Sequence, residues 1–299
     1  MPAPGRPTLD QLEVFLAVEE AGGFAAAARR LRRANSAVTY AIDNLEAQLG
    51  VSLFDRIATR RPVLTDAGRA VLEEARAVVK QVDLLRARTK GLWAGLEVEV
   101  SLAVDVMLPT ARLVDALQGF QAEFPTVALR LHAEALGGIA QLILDRTATV
   151  GVSGPLSANV AGTEVIGIGG VRLVPVAAPC HPLAAGGPQP PGRARDFVQL
   201  VLTDRSRITE GRDFGVVGVR TWRLGDLGAK HALLLAGLGW GAMPEPAIRA
   251  DLAAGRLVAL DLPDWTPLTY ALNATYRTDT PPGPAARWLI GRFAAQAAG

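Results

Sequence analysis

Three closely spaced helical signals and a basic turn occupy residues 8 to 65, and no other stretch constrains the fold as tightly. Thr8 and Gln11 stand at the spacing that lets each side chain satisfy a free N–H of a first helical turn. Leu9, Leu12, Phe15, Leu16 and Val18 then recur at helical spacing as a core-facing stripe. Gly22-Gly23 stops that helix, because glycine reaches positive φ without a Cβ clash. Residues 24–31 are rich in alanine, which lets two helices cross closely, and Arg32-Arg33-Ala34-Asn35 reads as a polar turn. A third helix is predicted over 36–49, with Val38, Ile42, Leu45 and Leu49 on one buried face. Ser36, Thr39, Tyr40, Asp43 and Asn44 are left on the other. Gly50 ends it, and residues 51–65 carry Arg56, Arg60 and Arg61 beside Pro62.

Two architectures satisfy this pattern. One is a winged helix-turn-helix, whose third helix would offer short polar groups to base edges in the major groove. Its basic hairpin would lie along the flanking phosphates. The other is an ordinary amphipathic three-helix bundle with a solvated polar face. Periodicity alone leaves both open.

The wording of the segment resembles the N-terminal domain of LysR-type transcriptional regulators. The resemblance rests on Leu12/Phe15/Val18, Gly23-Phe24, Ala27-Ala28, Leu31, Ala37-Val38-Thr39, Ile42, Leu45-Glu46, Leu49-Gly50, Leu53-Phe54, Arg56, Leu64-Thr65 and Ala67-Gly68. The spacing is intact over the whole domain. Departures fall on the presumed DNA face: Ala34-Asn35-Ser36 stands where the family often has Ser-Gln-Pro, and Tyr40 where an arginine is frequent. Asp43 adds a carboxylate there. The resemblance implies double-stranded operator DNA as partner. Ser36, Thr39 and Tyr40 are then expected at base edges, Asn35 at the helix entry, and Arg33, Arg56, Arg60 and Arg61 on phosphates.

Bulk properties narrow the class. With 299 residues and a formal net charge of +2, the chain has room for two or three compact units and is not a polycation that coats nucleic acid. DNA affinity must come from a local patch, and arginines at 29, 30, 32, 33, 56, 60 and 61 supply one. Residues 1–7 lack the apolar run of a signal peptide. No apolar stretch approaches the ~20 residues that cross a bilayer. Cys180, the single cysteine, rules out an internal disulfide. A cytoplasmic protein with no membrane contact is expected. His132, His181 and His231 have no metal-ligand spacing, so neither metal nor cofactor is expected.

Residues 66–91 read as one long helix with an apolar seam through Ala67, Ala70, Val71, Ala75, Val78, Val82 and Leu85. A helix with one apolar stripe needs a partner: the same helix of a second chain would supply it in a two-fold dimer, and the alternative is a helix packed back on its own domain. The family resemblance extends this to a homodimer or a dimer-of-dimers homotetramer, with RNA polymerase as a candidate partner.

Beyond Trp93 strands and helices alternate, giving a parallel α/β sheet with helices on both faces. The order fits two α/β lobes joined by crossing strands, as in periplasmic solute-binding domains, an architecture shared by the family's effector domain. The expected division is a DNA-binding domain at 1–65, a linker helix at 66–92 and an effector domain at 93–299. Within the last, lobe 1 takes about 93–162 and 268–299, and lobe 2 about 163–267.

Ligands of open α/β sheets sit outside the carboxyl ends of strands. That rule selects Asp105, Met107 and Thr110, then Leu136 with Gly137-Gly138, then Ser153, and from the second lobe Thr203 and Arg205. Trp222 is a candidate aromatic wall. Asp105 at the cleft floor would favour a cationic or hydroxyl-rich effector unless Arg205 neutralises it. Helix capping and core packing compete for each of these residues. Gly237-Leu-Gly-Trp-Gly-Ala superficially matches a dinucleotide fingerprint, but a helix precedes it where a strand is required. Cys180 reads as a small buried residue at a strand end rather than a redox sensor. The sequence therefore reads as a non-enzymatic transcriptional regulator controlled by a small-molecule effector. The alternatives are a solute-binding sensor that does not read operators and, disfavoured by missing catalytic signals, an enzyme.

Overall fold

The computed structural model describes residues 5–55, 62–93, 95–187 and 189–296. Two compact units emerge, Met1–Lys90 and Gly91–Gly299.

In the first unit, α1 (Leu9–Ala21), α2 (Phe24–Leu31) and α3 (Asn35–Leu49) precede a two-stranded antiparallel ribbon of β1 (Phe54–Asp55) and β2 (Val63–Leu64). Helix α4 (Asp66–Trp93) follows. Thr8 and Gln11 cap α1 reciprocally, with the Gln11 N–H donating to Thr8 Oγ1 at 3.3 Å and the Thr8 N–H to Gln11 Oε1 at 2.7 Å. Phe15, Val18, Ala27, Val38, Ile42, Leu45 and Leu53 are fully buried. The Phe54 ring meets the edges of Phe15 and Phe24 at 5.5 and 5.6 Å. Leu49 departs from the expected buried face: it is exposed, because it is the last helical residue before the left-handed Gly50 turns the chain away. Gly68 is required for packing, since a Cβ there would lie 2.1 Å from the Leu53 carbonyl oxygen. Along α4, Leu72 and Ala75 join this core, while Val78 and Leu85 of the predicted seam stay exposed.

In the second unit, one nine-stranded sheet underlies both lobes. Strands β3 (Glu99–Asp105), β4 (Ala128–Glu134) and β5 (Val150–Ser153) are parallel, with α5 (Thr110–Glu123) and α6 (Gly138–Leu144) in the crossovers. This matches the parallel arrangement expected of the βαβαβ order. Val100, Leu102 and Val104 pack into the larger core, which also holds Ala116 and Phe120 of α5, while Ala103 faces Ile139 and Ile143 of α6. The remaining strands are β6 (Thr163–Ala177), β7 (Gln199–Leu202), β8 (Thr221–Leu224), β9 (Trp240–Pro244), β10 (Val258–Ala259) and β11 (Leu268–Arg277). Helices α7 (Leu227–Leu235), α8 (Glu245–Ala253) and α9 (Pro284–Ala295) complete the unit. The sheet order is β4-β3-β5-β11-β6-β9-β7-β8, with β10 beside β6. Both β6 and β11 run through the two lobes and pair antiparallel from Arg277↔Thr163 to Leu268↔Leu173, broken by a bulge between Ala271 and Asn273.

Two long-range polar contacts tie the ends of this unit together. Glu97 accepts from the free N–H groups of Ala285 and Ala286, both at 3.0 Å, and so caps α9 from before β3. Arg112 of α5 donates to the carbonyls of Ile168 in β6 and Phe293 in α9, each at 2.9 Å.

Candidate DNA-reading face and effector cavity

Helix α3 separates its two faces sharply. Val38, Ile42 and Leu45 are 0% exposed, whereas Tyr40 is 68% exposed. Asn35 and Ser36 are exposed at the helix entry, and Thr39 is half-exposed, its hydroxyl donating to the Asn35 carbonyl at 3.0 Å. Glu46, on the same helix, accepts from the Leu53 and Phe54 N–H groups at 2.6 and 3.1 Å, which fixes the start of the ribbon to the helix. The sequence reading gave Glu46 no role; a helix-borne carboxylate seven residues before two orphan backbone donors was the available signal. Arg33 is exposed but held in a bidentate pair with Asp10 at 2.9 and 2.6 Å, and that hydrogen-bonded guanidinium lowers the Asp10 carboxyl below its usual range. Arg30 pairs with Glu20 at 2.7 Å, so part of the basic patch is internally neutralised. Arg56, Arg60 and Arg61 lie outside the described residues.

The strand-end residues of the second unit divide into three groups. Leu136, Thr203 and Arg205 come together around a cavity of about 630 Å³ between the lobes. Its other walls include Arg207, Arg212, Asp213, Phe214 and Arg223, all on or after the loop that leaves β7. Gly137 sits under that loop: a Cβ there would lie 2.5 Å from Ser206 Oγ and 2.9 Å from Thr209 Cγ2. Leu136, just before it, takes a left-handed φ of 50°, unusual for a branched side chain. Asp204 accepts from both the Ser206 hydroxyl, at 2.6 Å, and the Thr209 hydroxyl, which shapes the loop.

Met107 and Thr110 fall elsewhere, beside a narrower apolar cleft of about 190 Å³ shared with Leu227 and Pro244. Trp222, half exposed on the edge strand β8, lines neither space.

Asp105 and Ser153 are turned into the protein. Asp105 is 1% exposed and accepts from the Tyr270 hydroxyl at 2.6 Å and the Met107 N–H at 2.9 Å. Burial pushes its carboxyl up to about 6, against these hydrogen bonds and a further one from the Gly154 backbone. Tyr270 is raised in turn, by burial first and then by the neighbouring Asp105. A Cβ on Gly154 would meet the Tyr270 hydroxyl at 1.9 Å, so this hub requires glycine there. Ser153, fully buried, shares a 2.5 Å hydrogen bond with the Thr275 hydroxyl. Tyr270 went unnoticed in the sequence because it stands 165 residues from its partner.

Lys230 is another buried charge, its ammonium donating to the Ala242 carbonyl at 2.7 Å and lowered by burial to about 8. Cys180 is exposed, contrary to the expected burial, since it lies in the turn after β6 rather than in the strand. Among the described residues no group of three His, Cys, Asp or Glu side chains could hold a metal ion. No helix among them is long and apolar enough to cross a membrane.

Residues 9–69 match the family model for bacterial regulatory helix-turn-helix proteins of the lysR family, and residues 94–298 match the LysR substrate binding domain. The HTH-type transcriptional regulator PunR of Escherichia coli is 30% identical over 289 residues, covering 93% of this chain and 90% of PunR. The HTH-type transcriptional regulator AceR of Acinetobacter baumannii is 26% identical over 288 residues, covering 94% of each. Among solved structures, full-length LysG of Corynebacterium glutamicum with bound effector Arg has a TM-score of 0.51 at 22% identity, covering 97% of this chain and 98% of LysG. CbnR, a LysR family transcriptional regulator, has a TM-score of 0.50 at 24% identity, covering 96% of this chain and 99% of CbnR. These two likenesses concern the fold.

The class defined by the two units is a helix-turn-helix transcriptional regulator joined to a two-lobed effector-binding domain. The chain belongs to the LysR family of such regulators.

Proposed function

We propose that the protein acts in the cytoplasm as a one-component, non-catalytic regulator whose helix α3 reads a two-fold operator. Ser36, Thr39 and Tyr40 contact base edges, with Asn35 at the helix entry. Arg33, Arg56, Arg60 and Arg61 hold phosphates, and Arg33 reaches them by leaving Asp10. The observation that carries this reading is the division of α3 into a fully buried face and a face on which Tyr40 is 68% exposed. Tyr40 stands on that face beside the exposed Asn35 and Ser36, so an aromatic ring and short polar groups are presented together. The exposed Val78 and Leu85 of α4 support pairing with a second chain, and a dimer of such dimers would present four reading heads. The effector occupies the 630 Å³ cavity at Leu136, Thr203 and Arg205 and favours one pre-existing arrangement of the lobes. Through that shift it alters how the heads engage DNA and RNA polymerase.

The test is a salt titration of binding to the DNA upstream of the protein's own gene, comparing wild type with a Thr39→Ala/Tyr40→Ala variant. Saturable binding that the folded variant loses is expected. Binding indifferent to both sequence and variant would overturn operator reading and favour a sensor without it.

A further inference from the structure

The cavity between the lobes has an unbalanced set of open hydrogen-bonding groups. Four arginines line it, Arg205, Arg207, Arg212 and Arg223, together with three acidic residues, Asp204, Glu210 and Asp213. Arg223 and Asp213 cancel each other in a bidentate pair, which lowers the Asp213 carboxyl. Asp204 is occupied by the hydroxyls of Ser206 and Thr209. Among the described residues, Arg205, Arg207 and Arg212 have no carboxylate partner. Arg212 lies over the Phe214 ring, 5.2 Å from its centroid, which holds that guanidinium beside an apolar wall.

Asp105, which would have drawn a cation, contributes no opposing surface. Its carboxyl is 1% exposed and spends its lone pairs on Tyr270 and on backbone N–H groups. What remains in the lining is three arginines, Arg205, Arg207 and Arg212, against one carboxylate outside these pairings, Glu210, with Leu136 and Phe214 as apolar neighbours. A guanidinium matches a carboxylate with two parallel hydrogen bonds, a geometry that neither amides nor amines offer in return.

We infer that the effector is an organic anion, with a carboxylate or an equivalent oxyanion held by Arg205, Arg207 and Arg212 and a hydrocarbon or aromatic body against Leu136 and Phe214. The inference rests on the proposed effector role of this cavity and adds the ligand's chemical class.

Three probes share one ring and differ in charge: isophthalate, isophthalamide and m-xylylenediamine. Each is titrated calorimetrically into the full-length chain, and each is added to the binding assay with upstream DNA. Isophthalate is expected to bind about tenfold or more tighter than the diamide, and the diamine not to bind. An Arg205→Gln/Arg207→Gln variant should lose about tenfold or more of that affinity at unchanged unfolding temperature. Arg130→Gln, at a surface pair with Glu99 remote from the cavity lining, should leave it unchanged. Equal or tighter binding of the diamine or diamide, no binding of the diacid at millimolar concentration, or an unaffected double variant would each overturn the assignment. Failure of the diacid with DNA binding intact removes only the anion class; failure of saturable DNA binding removes the operator-reading function instead.

Discussion

The DNA-binding unit and the effector-binding unit use opposite designs for recognition. In the first, the candidate reading face occupies part of one 15-residue helix, and its anchoring face is separate from it. Tyr40 can change without touching Ile42 or Leu45. In the second, the cavity draws on residues 136, 201–207, 209–214 and 223, and several of them also build the fold. Leu136 is both cavity wall and core, and Gly137 beside it packs so closely under the 204–209 loop that a Cβ would collide with Ser206. Specificity can therefore drift on α3 at little cost in stability, whereas in the cavity a change of ligand contact is also a change of packing.

The sharpest way to break this comparison is to damage one unit and watch the other. Phe15→Ala should destabilise the first unit by about 3–5 kcal/mol, the usual cost of emptying a buried aromatic site. In calorimetry of the full chain the transition of the second unit should stay put, and a matching downward shift of both would show that the units unfold as one.

Gly137→Ala tests whether wall and ligand site are coupled. The new methyl must displace the 204–209 loop, at a cost of roughly 1–3 kcal/mol for an overpacked contact. Isophthalate affinity should fall together with the second transition. A loss of stability with unchanged affinity would uncouple them.

The pH dependence isolates Asp105. Its folded pKa, about 6, lies above the unfolded value, so the folded state binds the extra proton between about pH 4 and 6. Stability from this group is therefore full below about pH 4 and declines as pH rises through 6, by at most about 1.4 kcal/mol per pH unit. Chemical denaturation of the second unit at pH 4.5 to 7, written as a difference from Asp105→Asn, should show that decline. A flat difference would mean that Asp105 ionises as freely in the folded chain as in the unfolded one.

The smallest expected effect is at the α9 cap. Glu97→Ala should cost about 1 kcal/mol, typical of losing a helix cap, and only in the second transition. An effect on DNA affinity at saturating protein would contradict the separation of the units.

The same contrast explains what could be read in advance. Phe15, Val38 and Ile42 announce themselves through spacing, and Gly22 and Gly50 through the breaks they impose, because the contacts within that unit are local. Strand β8 was missed since four residues, Thr221-Trp-Arg-Leu, have no period to detect. Helix α8 is only nine residues long and opens with Pro244 at its N-cap and Pro246 in its first turn, a start that proline permits but that no apolar spacing announces. At the cavity, position after a strand drew attention to Leu136, Thr203 and Arg205, which line one space. It could not tell that Asp105 and Ser153 point inward, since their partners Tyr270 and Thr275 come from a strand more than a hundred residues later. The one available clue to the anion-binding wall was the density of arginine at 205, 207 and 212.

The position of β11 has a consequence for synthesis. It lies between β5 and β6, and Glu97, near the start of the unit, waits for the helix that follows β11, α9. A nascent chain can complete its DNA-reading head once residue 90 has cleared the ribosome, but the effector unit cannot close until its final strand and helix emerge. At about 5–20 residues per second the delay is on the order of 10–40 s. For that interval the cell holds a reading head with no working sensor. Such a head, tethered to a ribosome and not yet paired, is a poor competitor for a two-fold operator.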